Sequence, residues 1–377
     1  MPLHHPARSL RLPRPAAVLI TLALAAAMPV PSAGAWQEAT EDPWRVSDEE
    51  IERARNAPLF ASSDVLEFTL TAEFDRISKE DRGEDPQERP ATLTFMGSDG
   101  EVTVELKLQT RGNWRRQRRN CDFPPLWLDL DKDDPALPGT VFESQNRLKL
   151  YVTCQKGRDT YEQYILQEYL VYPTYNLLTD LSFRARPVYV HYVDSEKPDE
   201  SFSRHAFLLE HKSAMAARNR AVPLEAPQVH PAQMSGEDAA FLSIFNYMIG
   251  MTDWTAVFMH NVEAIRLMDD GRVVPVGYDF DWSGLVNTRY AVPAEQLPIR
   301  NVRQRIYQGF CRDLDYDPIF QRFLDRREDI LALWRNFALL EEDRRKDAVD
   351  FLDEFFERIG DPGRRSRLLR DCTPIPR

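Results

Sequence analysis

Residues 251–287 read MTDWTAVFMHNVEAIRLMDDGRVVPVGYDFDWSGLVN, and the reading of the whole chain turns on them. Asp253 and Asn261 fall in an irregular segment directly after a helix. Two short strands follow, Val262–Leu267 and Val273–Val276, turning at Asp269-Asp270-Gly271. Asp279 and Asp281 sit just past the second strand. Oxygen ligands supplied by two neighbouring segments suit a hard cation such as Mg²⁺ or Mn²⁺, above all one that also holds phosphates.

Upstream of this stretch the pattern changes twice. From Val65, apolar residues alternate through Leu66, Phe68, Leu70 and Ala72, the period of a strand. Further strands are expected at Ala91–Met96 and Glu101–Thr110, joined by the turn Gly97-Ser98-Asp99-Gly100, and at Leu126–Leu130 and Arg147–Thr153. Residues 159–179 switch to helical spacing through Tyr161, Ile165, Tyr169 and Tyr172, with a bend or break expected at Pro173. Strands return at Phe183–Tyr192 and His205–Glu210. Ser235 then caps a helix over Glu237–Gly250, and residues 318–359 are helical and charged. Sheet first and helices later imply an α+β, two-lobed arrangement with its join near residues 210–236.

The ends and the composition bound the cellular setting. Arg8, Arg11 and Arg14 precede an apolar run from Ala16 to Met28, then prolines, then Ala33-Gly34-Ala35. This is the order of a secretory signal peptide over residues 1–35, cleaved near Ala35. Residues 36–60 are polar and acidic and are expected to be a linker. No later segment is apolar enough to span a membrane, so no transmembrane segment is expected in the mature chain. The formal charge of −12 becomes −15 once the three arginines of the leader are removed. So acidic a protein is ill suited to nucleic acid, where binding depends on neutralising phosphates. Four cysteines, Cys121, Cys154, Cys311 and Cys372, suggest two disulfides in an oxidising compartment. Three pairings are open; Cys121–Cys154 with Cys311–Cys372 is preferred because each pair lies within one apparent lobe. No C-x-x-C or nearby histidine pair points to zinc.

Several short motifs resemble those of the spore-coat-H (CotH) type of atypical kinase. They are RGN at Arg111–Asn113, RLKL at Arg147–Leu150, AFLLE at Ala206–Glu210, His260-Asn261, and YDFDWSG at Tyr278–Gly284. Helix, Asp/Asn loop, hairpin and aspartate at a strand end is also the order of a kinase's metal and catalytic segment. The resemblance spans residues 65–290. It implies a two-lobed protein-kinase-like domain over residues 61–377, with an antiparallel-sheet N-lobe at about 61–212 and a mainly helical C-lobe at about 235–377. It also implies ATP as phosphoryl donor, Mg or Mn as cofactor, and a protein hydroxyl as acceptor.

The same resemblance assigns roles to single residues. Lys149 would reach the nucleotide phosphates, with Glu162 or Glu168 orienting it. Arg111 would belong to the phosphate loop, and Glu210 and His211 would lie near the adenine. Asp253 would accept the proton of the attacking hydroxyl. Asn261, Asp279 and Asp281 would hold metal. The chain departs from the kinase pattern in two ways. Asp253 and Asn261 are eight residues apart, against about five in a kinase catalytic loop. The extra residues either loop out or take Asp253 away from the base role. There is also no glycine-rich loop beyond Arg111-Gly112-Asn113.

Plainer roles stand beside these. Lys149 fits a solvated strand face, Asp253 a turn cap, and Asp279 and Asp281 acceptors for backbone donors at a strand end. The run Arg115–Arg119 reads as a solvated loop or an anion patch, and Trp127, Trp254 and Trp282 as core aromatics. Two other functions use the same residues: a non-catalytic envelope module that binds a protein or polymer, and a metal-dependent phosphoesterase. All three place the protein in the periplasm or outside the cell.

Overall fold

Alternating burial along the first four strands shows how the chain starts to fold. Leu70, Leu93, Leu108 and Leu128 are fully buried while their strand neighbours are more exposed. The structure, a computed structural model, describes residues 45–80, 83 and 85–376; the expected leader and the start of the expected linker lie outside these. The elements begin with α1 (Asp48–Arg55), β1 (Leu66–Ala72), α2 (Phe74–Glu80), β2 (Arg89–Gly97) and β3 (Gly100–Thr110). Next come β4 (Leu126–Leu130), β5 (Arg147–Tyr151), α3 (Asp159–Asn176), β6 (Ala185–Asp194) and β7 (Phe202–Leu209). The chain continues with α4 (Lys212–Arg218), β8 (Ala221–Pro223), α5 (Gly236–Ile249), β9 (Val262–Leu267) and β10 (Val273–Gly277). It ends in α6 (Asp317–Asp325), α7 (Arg327–Asn336), α8 (Glu342–Gly360) and α9 (Pro362–Arg370).

The strands overturn the expected fold class. Instead of a kinase-like, two-lobed molecule with an antiparallel-sheet N-lobe, seven strands close into a mixed barrel in the order β1-β2-β3-β4-β5-β7-β6. Closure comes from β1 running parallel to β6, with Leu66 opposite Val188 and Ala72 opposite Asp194. Alternation tells which face of a strand is apolar, but not which distant strand lies beside it. The barrel is filled, not hollow: Phe142, from the β4–β5 connection, packs edge-on against Phe68 and Phe95 at 6.0 and 4.9 Å.

On the side of β5 and β7 the barrel is buried on both faces. Tyr151, Phe207 and Leu209 point outward into a second apolar cluster built around α3 and α5. This explains why α3 is buried almost all round. It continues through Pro173 to Asn176 without a break; packing on every side holds the last turn, and Trp334 Nε1 donates to Thr174 Oγ1 at 2.9 Å. The hairpin β9–β10 gains β8 as a third strand, too short to show a period. Part of the expected linker is ordered structure. Ser47 and Glu50 form a capping box, Ile51 and Ala54 are buried, and Arg55 Nε donates to the Arg218 carbonyl at 3.1 Å. Two apolar residues in a short acidic helix are too few to reveal this from periodicity.

The cysteines pair as Cys121–Cys154 and Cys311–Cys372, with none free, which fits an oxidising compartment. Among the described residues, no helix is long and apolar enough to cross a membrane.

Candidate active site: a carboxylate and lysine cleft

Strand β5 sends Leu148 and Leu150 into the barrel and turns Lys149 the other way, into a cleft of about 660 Å³. Trp127 on β4 and Leu209 on β7 lie opposite it. Lys149 is 8% exposed, and its Nζ stands 4.2 Å from the Tyr278 ring centroid and 5.5 Å from that of Trp127. Among the described residues it has no ion-pair partner. Burial, followed by the nearby Arg111 charge, pushes its amine down to about 7.

Three carboxylates meet in the same region. Glu168 of α3, and Asp279 and Asp281 beyond β10, each offer an oxygen within 4.8 Å of the others. Asp279 has φ 62°, a left-handed backbone, and its N–H donates to the Tyr172 hydroxyl at 3.1 Å. Asp281 is nearly buried and accepts from the Tyr290 hydroxyl at 2.9 Å. Glu168 is completely buried, and neither of its oxygens has a hydrogen bond. Its nearest cation is Arg115 Nη1 at 3.8 Å. Burial, then Asp279, raises Asp281 to about 7; burial, then Asp281 and Asp279, raises Glu168 well above the usual carboxylate range. Crowded carboxylates out of water are costly unless protons or a cation offset their charge. An all-oxygen set with two unused acceptors fits a hard divalent ion.

Asp253 and Asn261 also come together. Gly250, with φ 66°, ends α5, and Thr255 and His260 exchange backbone hydrogen bonds at 3.0 and 3.1 Å. The residues between them loop out, so the eight-residue spacing closes. Asn261 Nδ2 donates to the Asp253 carbonyl at 2.7 Å and to its carboxylate at 3.3 Å. His260 Nε2 lies 3.1 Å from the Asp253 carboxylate, and that hydrogen bond raises the histidine above its ordinary value. Asn261 itself has φ 52°, a conformation that asparagine tolerates better than most residues.

The remaining expected residues divide. Arg111, Gly112 and His211 line the cleft; burial, then Lys149, pushes His211 down to about 4. Arg111 sits over the Tyr151 ring at 4.5 Å. Glu210 does not line it. It is buried in an ion pair with Arg218 at 2.9 Å and accepts from the Arg184 N–H, tying α4 to β6. Neither helix glutamate pairs with Lys149: Glu162 accepts from His205 N–H at 2.6 Å, and Glu168 faces Arg115 and the aspartates. Asn261 holds Asp253 through its Nδ2 and lines the cleft beside Asp279 and Asp281.

Trp127, Arg147, Lys212, Glu263 and Tyr278 also line the cleft, and residue patterning did not single them out for it. Arg115 was read as part of a loop patch but is buried, with Nη2 donating to the Val152 carbonyl. Trp127 and Trp282 line the cleft, whereas Trp254 does not. Only the outward phase of β4 and β5 hinted at the role of Trp127. Comparison with protein-family models and with curated proteins finds no match to this chain.

Proposed function

We propose that the protein transfers a phosphoryl group from a nucleotide to a protein hydroxyl, with Mg²⁺ or Mn²⁺ as cofactor. The reading rests on the cleft and not on the fold. The observation that carries it is the buried Glu168 carboxylate, without a hydrogen bond beside Asp279 and Asp281, in a region whose cleft also holds Lys149 and Arg111. Carboxylates for a metal next to cations for phosphate oxygens are what a metal–polyphosphate complex requires.

In this reading Glu168, Asp279 and Asp281 hold the ion, which when bound would offset charge on the phosphate oxygens. Lys149 and Arg111 bind and orient the phosphates. Asp253, steadied by Asn261 and His260, takes the proton of the incoming hydroxyl. It is 40% exposed, so an acceptor on another protein can reach it. The protein works in the periplasm or outside the cell, where the nucleotide has to be supplied. The carboxylates alone would serve a phosphoesterase, and the cleft without turnover would serve an envelope binding module. The buried, unpaired Lys149 favours a polyphosphate ligand over both.

Thermal melting of the mature protein with Mn²⁺ or Mg²⁺, with and without ATP, tests this. Ligand at ~100 times its dissociation constant adds about 2.7 kcal/mol, several degrees of melting temperature. A metal-dependent ATP shift that disappears in Asp279→Ala is expected. A metal shift with no ATP effect at millimolar nucleotide would overturn nucleotide use and leave the esterase or binding function.

A further inference from the structure

A second cavity, of about 410 Å³, lies where α5, α8, α9 and the segment 305–307 meet, and it shares no residue with the carboxylate cleft. Four arginines line it, Arg305, Arg358, Arg364 and Arg367, against one aspartate, Asp371. Such a concentration of positive charge is unexpected in a chain of net charge −12. Two of the arginines are already committed. Arg305 donates to the Met248 and Phe351 carbonyls and to Glu354, and stacks on Phe351; Arg358 shares Glu354 at 3.2 Å. Arg364 and Arg367 are different. They stand three residues apart on α9, hence on one face, and both are exposed. Among the described residues, neither guanidinium has an ion pair or hydrogen bond.

Tyr307 is 4% exposed, and its hydroxyl is wholly buried near Tyr316 and Arg312, which do not line the pocket. The two sides of the cavity are covalently joined. Cys311, just after the 305–307 segment, is bonded to Cys372, just after α9, and the Thr373 N–H donates to the Gly309 carbonyl at 2.9 Å. Two unpaired guanidinium forks on one helix face beside a pocket can meet an anion with charge-assisted hydrogen bonds. Such forks can meet two phosphate oxygens at once.

We propose that this pocket binds a phosphate group, either as free phosphate or as a small phosphomonoester, through Arg364 and Arg367. The test is thermal melting without divalent metal, in sodium phosphate or glycerol 3-phosphate, against sodium chloride of equal ionic strength. Wild-type protein, Arg364→Ala/Arg367→Ala and Lys149→Ala are compared, with circular dichroism to confirm folding. A rise of several degrees is expected in wild type and in Lys149→Ala, and none in the double arginine variant. Should the double variant be unstable, Arg367→Lys, which keeps the charge but loses the fork, is expected to lose most of the rise. A larger rise with glycerol 3-phosphate assigns the site to a phosphomonoester, and equal rises assign it to the free ion. No rise in wild type at tens of millimolar, a rise that survives loss of both arginines, or one that vanishes in Lys149→Ala would overturn the proposal.

Discussion

Lys149 carries a charge that the folded chain would shed more readily than the unfolded one. The folded protein favours the neutral amine from about pH 7 upward, while the unfolded chain holds its proton to the usual value of 10.5. The cost is therefore full below pH 7 and fades as pH rises toward 10.5. Lys149→Met should stabilise the ligand-free protein more at pH 7 than at pH 9, read from denaturant midpoints; an equal gain at both would show that the amine is not desolvated. Glu168 presents the mirror case of a buried acid. Glu168→Gln keeps its shape and removes the charge, so the metal-free melting temperature is expected to hold or rise while any Mn²⁺-induced rise disappears. A Mn²⁺ response retained in this variant would remove Glu168 from the ion site.

At the scale of elements, the loop from Asp253 to Asn261 is held by a few polar bonds around a left-handed asparagine. Asn261→Ala loses the 2.7 Å bond to the Asp253 carbonyl and places a side chain at positive φ, for a cost of about 1–3 kcal/mol. Asn261→Gly removes the backbone strain but not the lost bond, and should cost less. Equal costs would mean that strain plays no part. Glu210 joins two elements through a buried ion pair, so Glu210→Ala strands Arg218 and should cost about 3–5 kcal/mol. Its effect on ATP-induced melting shifts should be small, where an adenine contact would make it large. The AFLLE motif pointed to the end of β7, but whether its glutamate turned to the cleft or to α4 depended on where Arg218 packed.

Across the whole molecule the two disulfides close spans of 33 and 61 residues. Replacing either pair by serine should cost about 4 kcal/mol, slightly more for the longer span, by the chain-entropy relation; chemical denaturation of each variant measures it. The preferred cysteine pairing, the seven barrel strands, the Ser235-capped α5 and the hairpin leading to Asp279 were legible in the sequence. Each depends on neighbours in the chain or on a compartment that allows few alternatives. The carboxylate pair Asp279 and Asp281 was legible for the same reason, being two residues apart beyond one strand. Barrel closure was not, because β1 and β6 meet across more than a hundred residues and alternation records only which face is apolar. Nor was the partner of Glu168: its side chain could serve Lys149, Arg115 or a metal, and the choice was made by how α3 packs between barrel and helices. Local periodicity and chemistry determined the elements and most of the candidate groups; the tertiary structure alone decided which charges share one buried space, since burial and long-range pairing belong to the folded chain as a whole.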